Sequence, residues 1–82
     1  MTIKDFLEGL SILRPYYENP DGYHLGAEHD VIYIYATDFP LEAEHVKQLC
    51  DLGFCQEDAE VPDDKDFGPE YYNPEEGWAA YV

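Results

Sequence analysis

Positive charge is nearly missing from this sequence. Four Lys and Arg stand against 19 Asp and Glu in 82 residues, a formal net charge of −15. Nucleic acid and anionic membrane would both be repelled, so neither is expected as a direct partner. No apolar run approaches the roughly 18 residues of a membrane span. Met1-Thr2-Ile3-Lys4-Asp5 leads into a stretch broken by Glu8 and Gly9, not the apolar core of a signal peptide. A cytoplasmic protein is expected. Its two cysteines, Cys50 and Cys55, then stay reduced, and with no second pair they make no zinc site. Disorder is excluded by what is present: eight Tyr, four Phe, one Trp and 45% hydrophobic residues. The length suits one small domain, residues 1–82, without repeats or linker.

Periodicity predicts the elements. Thr2 with Asp5 forms a weak capping pair ahead of Ile3, Phe6, Leu7, Leu10 and Leu13, which share one helical face. Ile12 falls opposite them. Arg14-Pro15 should end the helix, because a residue before proline is pushed out of the α region. Tyr23–Ala27 and Val31–Ala36 read as a β-hairpin around the acidic turn Glu28-His29-Asp30. In the second strand Ile32, Ile34 and Ala36 should face the helices, and Val31, Tyr33 and Tyr35 the other way. A second helix is predicted from about Glu42 to Leu52. Val46, Leu49 and Cys50 form its buried stripe, and Gly53 is the left-handed residue that stops it. Phe54–Glu57 reads as a short strand, residues 58–74 as an ordered but irregular acidic loop, and Gly77–Val82 as a terminal strand pairing with Phe54–Glu57. The predicted class is α+β, order α-β-β-α-β-β, with two helices on one face of a small antiparallel sheet.

Catalytic and metal chemistry find little support. His24, Glu28 and His29 lie close across a turn, but no further ligand joins them. The run from Asp64 to Glu70, with Glu75 at the twelfth place, has Pro69 where a calcium loop needs glycine and Gly68 at a ligand position. Weak divalent-ion binding by clustered carboxylates is the most this run suggests. Ser11, Thr2, Thr37, Cys50 and Cys55 lack the neighbours that activate a nucleophile. No glycine-rich phosphate loop is present. Neither an enzyme nor a cofactor or metal is expected.

The acids are distributed unevenly. Glu57, Asp58, Glu60, Asp63, Asp64, Asp66, Glu70, Glu75 and Glu76 meet only Lys65, nine acids against one base, a net −8 between residues 57 and 76. Glu18, Asp21, Glu28 and Asp30 form a second group. Solubility of a small domain needs a net charge of only about 2–8. The excess strains a small fold by self-repulsion, and a basic partner surface would compensate it. Duplex DNA carries about one charge per 1.7 Å of axis. Alternate residues of an extended chain, ~6.6 Å apart, would space Asp58 and Glu60, or Asp64 and Asp66, like successive phosphates. Competition with nucleic acid for a basic groove is therefore the leading expectation. The pairs Tyr16-Tyr17 and Tyr71-Tyr72 flank the acidic stretches and offer aromatic anchors for binding without mimicry.

This profile of small size, extreme acidity, reduced cysteines and compact α+β order resembles phage-encoded inhibitors of bacterial defence, the anti-CRISPR and DNA-mimic anti-restriction proteins. Leu25–Tyr33, Leu52-Gly53-Phe54 and Pro74–Trp78 are similar to stretches of small phage and prophage proteins. The resemblance covers the overall profile and these three patches, without a diagnostic motif. It implies an inhibitor that binds a CRISPR effector, with the multi-subunit DNA-surveillance complex of a type I system as the candidate, in the host bacterial cytoplasm. The expected contact residues are Glu28, Asp30, Asp58, Glu60, Asp63, Asp64, Asp66, Glu70, Tyr71, Tyr72, Glu75 and Glu76. The charge around the final strand favours a monomer.

Overall fold

A computed structural model describes residues 1–82. The first helix, α1, runs Ile3–Leu13, and the Thr2 hydroxyl accepts the Asp5 N–H at 3.1 Å as its N-cap. Its buried arc is centred on Gly9 and Leu13, with Phe6 and Leu10 beside them. Ile3 and Leu7, expected on that face, lie on its flank and are 80% and 57% exposed. The rotation follows from Gly9. With no side chain there, the Phe54 ring lies directly against the helix backbone. Ile12 thereby reaches the core from the opposite flank. Arg14 keeps α conformation (φ −49, ψ −46) although Pro15 follows, and the chain tightens into a 3₁₀ turn over Arg14–Tyr16. Proline is tolerated there because the first positions of a helical turn need no N–H.

Strands β1 (Leu25–Glu28), β2 (Val31–Ile34) and β3 (Trp78–Tyr81) form an antiparallel sheet in the order β1-β2-β3. Glu28 pairs with Val31 across the two-residue turn His29-Asp30, where His29 adopts φ 56. A positive φ is what a tight hairpin turn demands of its first residue. The terminal strand pairs with β2, in the register Ile34 with Trp78 and Ile32 with Ala80. Its predicted partner, Phe54–Glu57, contributes only a single bridge between Cys55 and Ala79, with hydrogen bonds of 3.0 and 2.7 Å. The bridge goes no further because the Gln56 carbonyl takes the Ala59 N–H and starts a turn. The order is therefore α-β-β-α-β, and the expected third strand, Phe54–Glu57, shrinks to one residue.

Helix α2 spans Ala43–Leu52, buries Val46 and Leu49, and stops at Gly53, where φ 99 returns the N–H to Cys50 and Leu49. Glu42 gives its N-terminus no side-chain cap. The Tyr16 hydroxyl instead accepts the Glu42 N–H at 3.2 Å and meets Nδ1 of His45 at 2.5 Å. Both helices lie on one face of the sheet, around a core of Leu13, Tyr17, Ile34, Leu41, Val46, Leu49, Phe54, Trp78 and Ala80. No helix is long and apolar enough to cross a membrane.

The loop from Glu57 to Gly77 is irregular but held at two points. Phe67 meets Trp78 edge-on, with centroids 5.8 Å apart, and Tyr72 stacks on it at 6.0 Å. Gln56, fully buried, donates through Nε2 to the carbonyls of Asn73 (2.8 Å) and Glu76 (3.1 Å) and accepts the Asn73 N–H at 2.9 Å. One amide side chain thus fixes the turn that leads into β3.

Candidate functional site

The face of the sheet away from the helices carries tyrosines. Strand alternation turns Tyr33 and Tyr35 outward, and the β2–β3 register sets Ala79 beside Tyr33 and Tyr81 beside Val31. The Cys55–Ala79 bridge brings the following residues, Glu57 and Asp58, against this face. The Gln56-anchored turn brings Glu75 from the other side. A cleft of about 420 Å³ results, lined by Tyr33, Tyr35, Glu57, Asp58 and Glu75, with Trp78 and Ala79 of β3 among its remaining walls. The Tyr81 hydroxyl donates to Oε1 of Glu57. Partial burial raises the Tyr33 phenol above its usual value, and the charges of Glu57, Glu28 and Asp58, with a hydrogen bond to Glu57, add to the rise. Three carboxylates from two separate segments therefore act on one phenol, and Glu75 lines the cleft from a third. Carboxylates beside aromatic faces suit an ammonium or guanidinium group, through charge-assisted hydrogen bonds and cation–π attraction.

Of the residues expected to bind a partner, Asp58 and Glu75 line this cleft, and Glu28 of β1 acts on its Tyr33 through charge. Glu60, Asp63, Asp64 and Asp66 are exposed along the loop. The Lys65 N–H bonds to the Pro62 carbonyl, so Asp63 and Asp64 sit in a turn, and Asp58 lies in the turn closed by Ala59. The phosphate-like spacing expected for these pairs on an extended chain does not occur, because local hydrogen bonds curl both segments. Glu70 lies on the 3₁₀ turn Pro69–Tyr71 near the end of α2, close enough for its charge to act on Cys50. Asp30 lies in the hairpin turn, where its carbonyl accepts the Val82 N–H at 2.8 Å. Glu76 is half-buried and gives its carbonyl to Gln56.

Tyr71 and Tyr72 are both half-buried. The Tyr72 ring packs on Trp78 and its hydroxyl accepts the Leu41 N–H at 2.9 Å. Tyr72 is a strut that ties the loop to the chain entering α2. Tyr16 and Tyr17 are struts too, the Tyr17 hydroxyl donating to the Tyr35 carbonyl. The cleft residues Tyr33, Tyr35 and Glu57, with Tyr81 beside them, are absent from the expected contact residues, although Glu57 opens the acidic stretch. The alternation of Tyr33 and Tyr35 against Ile32 and Ile34 was the visible signal for two of them.

Other chemistry is weaker. No group of three or more His, Cys, Asp or Glu side chains is placed to hold a metal ion. His24 is engaged elsewhere, with Nε2 2.7 Å from the Asn19 carbonyl and its ring stacked on Tyr17. Burial, then Asp51, Glu70 and Cys55, push the Cys50 thiol up to about 11, and burial and Glu57 raise Cys55. Neither is an activated nucleophile. A larger groove of about 620 Å³ between α1 and α2 is lined by Glu8, Ser11, His45, Gln48 and Asp51. Ile12, Pro15 and Leu52 complete its lining, and the Nδ1 of its histidine is taken up by Tyr16 at the start of α2. Comparison with protein-family models, curated proteins and solved structures finds no match to this chain.

Proposed function

We propose that this protein is an inhibitor of bacterial defence of the anti-CRISPR type. In this reading its acidic tyrosine cleft occupies a basic nucleic-acid-binding surface of an effector complex and so keeps target DNA out. The observation that supports this most is the convergence of Glu57, Asp58 and Glu75 on one aromatic-walled cleft, whose Tyr33 also feels the charge of Glu28. Lys or Arg side chains of the DNA channel would enter between the carboxylates and lie against Tyr33 and Tyr35. The competition rests on charge and cleft shape, since the loop acids do not repeat at phosphate spacing. The alternative, binding without mimicry through Tyr71 and Tyr72, predicts an affinity that resists salt and falls when either tyrosine is truncated.

The test is displacement of labelled target DNA from a purified type I surveillance complex. The native chain should release DNA, and its affinity should fall as salt rises. The triple variant Glu57→Gln, Asp58→Asn, Glu75→Gln should bind at least tenfold more weakly, with a salt dependence lower by about three ion pairs. The variant Asp63→Asn, Asp64→Asn, Asp66→Asn should lose less. Absence of binding to the complex, or equal loss in both variants, would overturn the reading.

A further inference from the structure

We infer that the open edge of β1 is a second binding surface, which takes an extended segment of a partner protein as a fourth strand. The sheet order leaves β1 with a neighbour on one side only. The Tyr35 N–H donates to the His24 carbonyl at 2.8 Å, so His24 and Tyr35 form a hydrogen-bonded pair. Antiparallel alternation then turns the backbone groups of Gly26 and Glu28 toward β2, and those of Leu25 and Ala27 outward.

Natural edge strands are usually blunted by charge, proline or a bulge. This edge carries no proline and no bulge, and its one charge, Glu28, stands at the hairpin end. No Asp, Glu, Lys or Arg occurs from Gly22 through Ala27, in a chain with 19 acids. Tyr23 is 96% exposed and Leu25 56% exposed. On the helix side of the edge a groove of about 220 Å³ is lined by apolar Leu10, Leu13, Tyr17, Pro20 and Leu25, with Arg14 on its wall. On the other side stands Glu28, whose charge reaches Tyr33.

The two sides specify the occupant. An added strand would send alternate side chains into the apolar groove and the others toward Glu28 and the tyrosine face. Its pattern is apolar and basic residues in alternation. A second copy of this chain lacks that pattern and would bring another −15 of charge. The inference does not rest on the acidic cleft, and the two are tested by different residues.

The probe is an eight-residue peptide of alternating Val and Lys, added to ¹⁵N-labelled protein while amide hydrogen exchange is followed by NMR. In the free protein the Leu25 and Ala27 amides should exchange without protection. With peptide both should slow at least tenfold. The same peptide N-methylated at alternate amides, on the edge that pairs, keeps its charge and should leave them unchanged. Ala27→Pro removes only an outward N–H, which an edge strand tolerates. That variant should fold and lose the effect at Leu25. The triple cleft variant should keep it. Equal effects of both peptides, no protection with either, or protection without peptide that grows with protein concentration would each overturn the inference.

Discussion

Alanine at Gly9 provides a test of sign. In a helix interior, Gly→Ala normally stabilises by about 1 kcal/mol. Here a Cβ would stand 2.1 and 2.2 Å from Cε1 and Cζ of Phe54, well inside contact distance. Phe54 is 2% exposed and its ring lies parallel to Phe6, with centroids 6.2 Å apart. It cannot withdraw without moving Phe6 or reopening the core. Overpacking of a filled interior costs about 1–3 kcal/mol, and a shift of more than an ångström belongs at the upper end of that range. The net effect of Gly9→Ala should be a loss of about 1–2 kcal/mol, or about 5–15 °C in Tm for a domain of this size. Thermal melts by circular dichroism, with urea unfolding to confirm an unchanged m-value, measure it. Adding Phe54→Leu should cost less in the Gly9→Ala background than in the native chain. A Tm equal to or above the native value would show that α1 does not rest on Phe54, and the packing described for it would be wrong.

Replacing Gln56 by Leu keeps the volume but strips three hydrogen bonds from Asn73 and Glu76, and should cost about 2–4 kcal/mol in urea unfolding. A loss under 1 kcal/mol would mean that the turn before β3 is held by something else. Alkali should destabilise the fold. The Cys50 thiol rises to about 11 and the Tyr17 phenol to about 12, so both are kept neutral in the native state. Their contribution is whole below pH 9. It is lost as the unfolded chain ionises first, from pH 9 to 11 for Cys50 and from pH 10 to 12 for Tyr17. For Tyr17 the loss, discounted for solvent screening, is about 1–2 kcal/mol. Unfolding measured across pH 8–11 should show the decline, and a flat profile would refute the burial of these groups.

The helices were legible because their signals are local. Thr2 with Asp5, the Val46–Leu49 stripe and Gly53 each act within a few residues, and each holds in the structure. The hairpin was legible for the same reason. What the sequence did not reveal depends on distant partners. The rotation of α1 is decided by Phe54, forty-five residues away, which an apolar periodicity cannot register. Phe54–Glu57 has strand-like composition, yet Gln56 spends its side chain on Asn73 and Glu76 and its carbonyl on Ala59. Nothing beside Tyr72 in sequence told that its ring would meet Trp78 and its hydroxyl Leu41. The acidity of the 57–76 stretch was plain, but which carboxylates meet depended on the register of β3 against β2 and on one bridge at Cys55.

The placement of β3 beside β2 also governs how the chain comes to fold. Ile34 pairs with Trp78 and Val31 with Tyr81, separations of 44 and 50 residues, whereas β1 and β2 are joined by two. Local pairing forms quickly, and a closure of this length is slow because chain entropy opposes it until native contacts compensate. Until Trp78 arrives, the core around Ile34 is incomplete and the second edge of β2 has no partner. Such half-finished chains ordinarily stick to one another. With a charge of −15 on every copy, they repel instead, so the acidity acts on the molecule before it has any surface to present.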